Sequence, residues 1–194
     1  MFKEFREYLK SKIEISDEQL AAVEKLLKYK TVRHGEILLK PGDTCQHGMF
    51  VMDGCLRSFL IMDGKEHIMH FAPENWWIGD NHCFDKTDTA MFFIDAVEDS
   101  KVALFEHDFL HKLELIVPNS FKFTQTLRKN SFRSMQNRII NMLASTAEER
   151  YNLFINNYPN LASRLPQRMV ASYLGIAPQS LSRIRGQFSI KNYS

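Results

Sequence analysis

Long apolar runs are missing from this chain. Nowhere do about 20 successive apolar residues occur, the length a helix needs to cross a bilayer, so no membrane partner is expected. The charged opening MFKEFREYLK does not read as a secretory signal peptide, and the expected location is the cytoplasm. Cysteine is scarce. Cys45, Cys55 and Cys83 are an odd number without CxxC spacing, which points to reduced cytosolic thiols and leaves too few for a four-thiolate iron–sulfur centre. Net charge is only +2, so any affinity for a polyanion must come from local clustering rather than from the whole-molecule field. The acids lie mostly before Arg150, and the tail beyond it carries only basic charges.

What is there is the composition of a globular protein: 194 residues, 44% hydrophobic and 25% charged, enough for one good-sized core and a smaller one. The acid-free stretch Leu165–Gln187, LPQRMVASYLGIAPQSLSRIRGQ, organises the rest. Val170, Leu174, Ile176, Leu181 and Ile184 recur at the spacing of two short helices meeting at a sharp turn. Pro166 and Pro178 suit first helical positions, and Gly175 suits a left-handed helix end. Ala171 allows a close crossing. The pattern predicts a helix-turn-helix whose second helix enters a DNA major groove, with an ordinary helical hairpin as the plainer alternative. Arg183 is the expected base reader, with Gln179 and Ser180 beside it, because Arg pairs with guanine and Gln with adenine in a bidentate manner. Arg168 and Arg185 are expected on phosphates.

Upstream, Phe2, Phe5, Leu9 and Ile13 predict a helix, and Ser16-Asp17 caps a second one carrying Leu20, Val23, Leu26 and Leu27. From Tyr29 to about Phe105, turn signals arrive about every ten residues between short β-favouring runs such as EILLK, MFVMDG, LRSFLIM and HIMHF. That is the texture of a β-sandwich or barrel. Helix returns at Glu106–Leu115. After Pro118 a helical pattern runs to about Ala144, roughly 40 Å at 1.5 Å per residue, with Phe121, Phe132, Met135, Ile139, Met142 and Leu143 on its main stripe. Its thinner stripe, Phe123, Leu127 and Ser134, is expected to meet a symmetry mate in a parallel dimer. A last helix, Ala147–Tyr158, closes at Pro159.

Segment order and two stretches, GEILLKPGDTCQHGMFVMDGCLRSFL (35–60) and PQRMVASYLGIAPQSLSRIR (166–185), resemble the CRP/FNR family of bacterial transcription regulators over nearly the whole chain. The resemblance implies an α+β protein. Its parts are an N-terminal jelly-roll (double-stranded β-helix) sensor domain over 1–116, a long connecting and dimerisation helix over 117–145, and a small all-α helix-turn-helix domain over 146–194. It also implies a homodimer that binds double-stranded DNA under control of an effector in the roll, with RNA polymerase as a further partner. The family's Gly-Glu pair corresponds here to Gly79-Asp80, whose carboxylate is suited to a ribose hydroxyl. Its cassette Arg falls at Ala90-Met91, so the cation for a cyclic phosphate is missing, and Lys86 is a solvated loop residue; a cyclic nucleotide is not the expected effector. Gly79, Asp80, Trp77 and Met91 are the expected pocket, although paired Trp76-Trp77 in a roll also simply alternate between core and exterior. Only GQFSIKNYS follows Arg185, which leaves no room for the family's two-stranded wing.

No nucleophile–base pair, carboxylate pair or Gly-rich phosphate loop stands out, so no catalytic residue is assigned and no enzyme is expected. His67, His70 and His82 raise the alternative of a cupin-like metalloenzyme, but His-x-x-His spacing sends two rings to opposite faces of a strand, and no metal ligands are assigned. The other alternative is an effector-binding module whose helix-turn-helix serves protein contact.

Overall fold

The structure, a computed structural model, describes residues 1–80, 83 and 88–191, with side chains described as far as Gln187. Two short helices come first, α1 (Lys3–Lys12) and α2 (Asp17–Glu24), the second started by a capping box in which Ser16 and Gln19 each hold the other's backbone N–H. Among the described residues eight strands follow: β1 (Leu27–Val32), β2 (Ile37–Leu39), β3 (Gly48–Asp53), β4 (Leu56–Met62), β5 (Lys65–Ala72), β6 (Trp77–Ile78), β7 (Phe93–Ala96) and β8 (Ser100–Phe105). They form two four-stranded sheets, ordered β1-β8-β3-β6 and β2-β7-β4-β5. Helices α3 (Phe109–Ile116), α4 (Phe121–Ala144), α5 (Ala147–Asn157), α6 (Gln167–Leu174) and α7 (Pro178–Lys191) complete the chain, with a 3-10 turn at Pro118–Ser120.

The alternation of strand side chains builds two cores from one sheet. Met49 and Val51 of β3 and Val102 of β8 join Leu56, Ile94 and Ala96 between the sheets. Phe50, Met52, Ala103 and Phe105 point the other way, onto Phe5, Leu9, Leu20, Val23, Phe109 and Leu113 of the first three helices. Hence GMFVMD is apolar on both faces, and all of it but Asp53 is buried. Asp63 and Gly64, both at positive φ, make the tight turn of the β4–β5 hairpin, as a right-twisted two-residue loop requires.

Three expectations need correction. Leu27 begins a strand rather than ending a helix. Its apolar side chain fits either period, and pairing with Phe105 of β8 decides the matter. The stripes of α4 are largely exchanged: Phe123 and Leu127 are half-buried, Phe123 against Tyr8 and the helix-side core, while Ser134 of the same stripe stays exposed together with Phe132, Met135, Ile139 and Leu143. Periodicity finds a stripe but not the neighbour that covers it. Finally, Cys45 and Cys83 are not separate reduced thiols but are paired as a disulfide, with Cα atoms 5.5 Å apart; Cys55 lies outside the pair. A separation of 38 residues gave no sign of that meeting.

The chain divides into two compact units, one comprising Met1–Leu60 and His70–Asn130, the other Ile61–Met69 and the chain from Ser131 onward. At 24 residues α4 is about 36 Å long. No helix among the described residues is long and apolar enough to cross a membrane.

Candidate nucleic-acid interface and effector pocket

Helix α6 buries Met169, Val170, Ala171 and Leu174 and ends at Gly175, which takes a left-handed conformation (φ 67°, ψ 36°). Its N–H and that of Ile176 go back to the last carbonyls of α6, and a Cβ there would run into the Met142 side chain. Glycine therefore serves both the turn and the close approach. Pro178 is the first residue of α7, whereas Pro166 immediately precedes α6 in an extended conformation. Leu181 and Ile184 of α7 are buried with Val170 and Leu174, as a helix-turn-helix core requires. Around it stand Tyr151, Phe154, Tyr158, Leu161 and Leu165, with Phe154, Tyr158 and Tyr173 in mutual ring contact.

Polar groups that hold this unit together are already engaged. Arg150 donates to Leu174 O (3.0 Å) and Ser145 O (2.6 Å), a cation on the negative end of α6. Arg138 donates to Ile68 O (2.8 Å) and Tyr173 O (3.0 Å), its guanidinium 4.0 Å from the Tyr173 ring centre. Ser172 bridges strand β5, accepting from Ile68 N (3.1 Å) and donating to Glu66 O (2.7 Å). At the start of α5, the Thr146 N–H and hydroxyl bind the Glu149 carboxylate (2.7 and 3.0 Å) and hold its pKa below the usual carboxylate range.

The expected DNA-contacting residues sort differently. Arg168, Gln179 and Arg183 are exposed; Ser180 and Arg185 are half-buried. Gln179 and Arg183 are one turn apart on α7, about 6 Å along the axis, and face the same way. Ser182 is exposed beside them and was missed on reading the sequence, although its spacing of three from Gln179 marks the face. No acid occurs on α6 or α7, and the amino end of α7 adds the positive end of its dipole. Among the described residues no strand follows Arg185; α7 continues instead to Lys191.

At the roll, Asp80 is buried and its Oδ2 accepts from the backbone N–H groups of Met91 (2.7 Å) and Phe92 (3.1 Å). The carboxylate expected to bind a ribose hydroxyl is thus tied to the chain itself. Met91 is exposed beside it, and Gly79 is half-buried, with Gly48 Cα 3.6 Å from where a Cβ would stand. Trp77 is not in this group. Its ring contacts Phe5, Tyr8, Phe50, Phe105 and Phe109 in the helix-side core, and its Nε1 donates to Tyr8 Oη (3.1 Å). Strand alternation sends Trp77 outward and Trp76 onto the core between the sheets. Burial against these rings pushes the Tyr8 pKa up. A second polar feature escaped notice: Arg57 and Asp95, directly opposite on β4 and β7, form a buried two-armed ion pair (2.7 and 2.9 Å), with the guanidinium 4.2 Å from the Phe59 ring centre. Only strand register brings them together.

His67 is exposed and His70 leans on Trp76 (5.5 Å between ring centres); His82 and Lys86 lie outside the described residues. Among the described residues no group of three or more His, Cys, Asp or Glu side chains is placed to hold a metal ion.

Residues 29–114 match the cyclic nucleotide-binding domain family. The chain is 26% identical over 173 residues to the transcriptional activator protein FnrA of Stutzerimonas stutzeri, covering 82% of this chain and 69% of that protein. It is 27% identical over 180 residues to the fumarate and nitrate reduction regulatory protein of Yersinia pestis, covering 84% and 69%. In fold it is similar to FixK2 from Bradyrhizobium japonicum, with a TM-score of 0.72 at 19% identity over 86% of each chain.

Proposed function

We propose that the chain is a one-component, DNA-binding transcriptional regulator of the CRP/FNR type and not an enzyme. Residues 1–116 sense an effector, 117–145 pair two subunits, and 146–194 read double-stranded DNA in the cytoplasm, with RNA polymerase the partner of the bound dimer. The observation that carries this is the exposed, acid-free face of α7 behind the Gly175 turn. Arg183 and Gln179 reach base edges there, Ser180 lines the same groove, and Arg168 and Arg185 meet phosphates. The exposed row Phe132, Met135, Ile139 and Leu143 supports pairing along α4, because it follows the three-and-four spacing of a two-helix seam. Pairing about that seam sets the two reading helices roughly 34–36 Å apart, one turn of DNA.

Gly79, Asp80 and Met91 border the effector pocket. A cyclic nucleotide is not its ligand. The Met91 and Phe92 N–H donors that a buried phosphate would need already hold the chain's own carboxylate, and an anion without compensating donors costs several kcal/mol to bury.

Mobility-shift titrations at several salt concentrations test the DNA reading. Arg183→Ala should cost about 1–3 kcal/mol and relax preference at one base pair, whereas Arg185→Ala should weaken all sequences alike and flatten the salt slope. Equal losses on operator and random DNA for Arg183→Ala would remove it from base recognition.

A further inference from the structure

Cys45 lies in the loop between β2 and β3, and Cys83 follows β6. Their Cα atoms, 5.5 Å apart, fall within the roughly 4.4–6.8 Å that a disulfide spans without moving the backbone. Both are buried, at 2% and 0% exposure, and both sulfurs approach one acceptor, the Asp80 carbonyl oxygen, at 3.9 and 3.5 Å. The same two loops are stitched together by Gly42 N to Ala90 O and Ala90 N to Asp43 O, each 2.9 Å. The Asp80 carboxylate then fastens Met91 and Phe92. The sulfur pair therefore sits beside Asp80, which in turn holds Met91 at the effector pocket. Two thiols alone do not make a metal site, and a disulfide in a cytosolic protein is commonly a transient, redox-sensing one.

We propose that Cys45 and Cys83 form a reversible disulfide through which the roll responds to a peroxide-class oxidant, tightening the hold of Asp80 on Met91 and Phe92. This rests on the reading of the roll as a sensor domain. One thiolate attacks a peroxide oxygen, the O–O bond breaks, and a sulfenic acid forms with release of hydroxide. The second thiolate then attacks that sulfur, the S–S bond forms, and the sulfenic oxygen leaves as water after protonation. Two thiols lose two electrons and two protons in total, and hydrogen peroxide is reduced to two waters. Because the two residues already stand at bonding distance, the second step is intramolecular and outruns further oxidation of the sulfenic acid.

The test uses the full chain, reduced and then treated with hydrogen peroxide, denatured, alkylated and peptide-mapped. The reduced protein should show three alkylated cysteines; the treated protein should show Cys55 alone, with Cys45 and Cys83 in one linked peptide that glutathione separates. In parallel, hydrogen exchange at the Met91 and Phe92 amides should be at least about tenfold slower in the linked form, since a cross-link restricts local opening. Cys45→Ser should exchange like the reduced protein and ignore peroxide. Three alkylated cysteines after peroxide, a bridge through Cys55, a link that glutathione leaves intact, or equal exchange in both forms would each overturn the proposal. No arm uses DNA, so loss of operator binding would count against the regulator reading and a failed thiol map against this one.

Discussion

The roll and the C-terminal helical unit treat charge in opposite ways. Inside the roll, buried Arg57 is matched by buried Asp95, and the buried Asp80 carboxylate by two backbone N–H groups. In the helical unit, Arg138 and Arg150 are spent on carbonyls at the end of α6, while Arg168 and Arg183 stand exposed on helices that carry no acid. A desolvated charge must find its partner within the chain, because burial without one costs more than folding can spare. A solvated charge has no such need and remains available to a ligand. The difference teaches where to look: matched charges mark scaffold, unmatched cations and uncovered apolar rows mark contact surfaces.

The contrast breaks most visibly at Asp95. Asp95→Ala should destabilise the protein by about 3–5 kcal/mol in a urea titration, since it removes both carboxylate arms from a buried guanidinium. Lys101→Ala, which removes the exposed partner of Asp53, should cost under about 1 kcal/mol. Equal costs would show that burial does not set the worth of these pairs. Next in size is Ile139→Glu on the uncovered row of α4. It should leave the unfolding midpoint close to the parent's yet weaken self-association by about 2 kcal/mol or more in sedimentation equilibrium. An unchanged dimer would move the subunit contact off this row.

A smaller effect than that at Ile139 lies at the cap of α5. Thr146→Ala should cost about 1 kcal/mol near neutral pH. Its hydroxyl and N–H lower the folded-state pKa of Glu149 relative to the unfolded chain. The stability linked to that carboxylate is therefore present above the unfolded-state value and is lost as pH falls through the lower folded-state one. The gap between the melting curves of parent and variant should narrow as the solution is acidified through that window, leaving the part due to the Glu149 N–H bond to the hydroxyl. A gap that holds constant down to strongly acid pH would detach Glu149 from the cap.

Most of the architecture was legible before any coordinates. The turn spacing, the helix-turn-helix and the long helix were each written in local patterns, because period, capping and glycine placement are properties of neighbouring residues. Gly175 is the sharpest case, its place after an apolar repeat being enough to foretell a left-handed helix end. The candidate site was only half legible. Arg168, Gln179 and Arg183 could be marked as candidates from the absence of acids around them, and all three are exposed. Trp77 could not be placed, since its neighbour Trp76 is the same residue and only strand phase separates their environments.

By itself the amino-acid order determined which segments are helix or strand and which face of α7 is left cationic, since both depend on contacts within a few residues. Only tertiary structure decided that Asp80 would hold Met91 and Phe92, that Arg57 would meet Asp95, that Cys45 would meet Cys83 and that the row through Ile139 would stay uncovered. Those outcomes depend on strand register and loop closure between residues far apart in the chain, where no local periodicity carries the information.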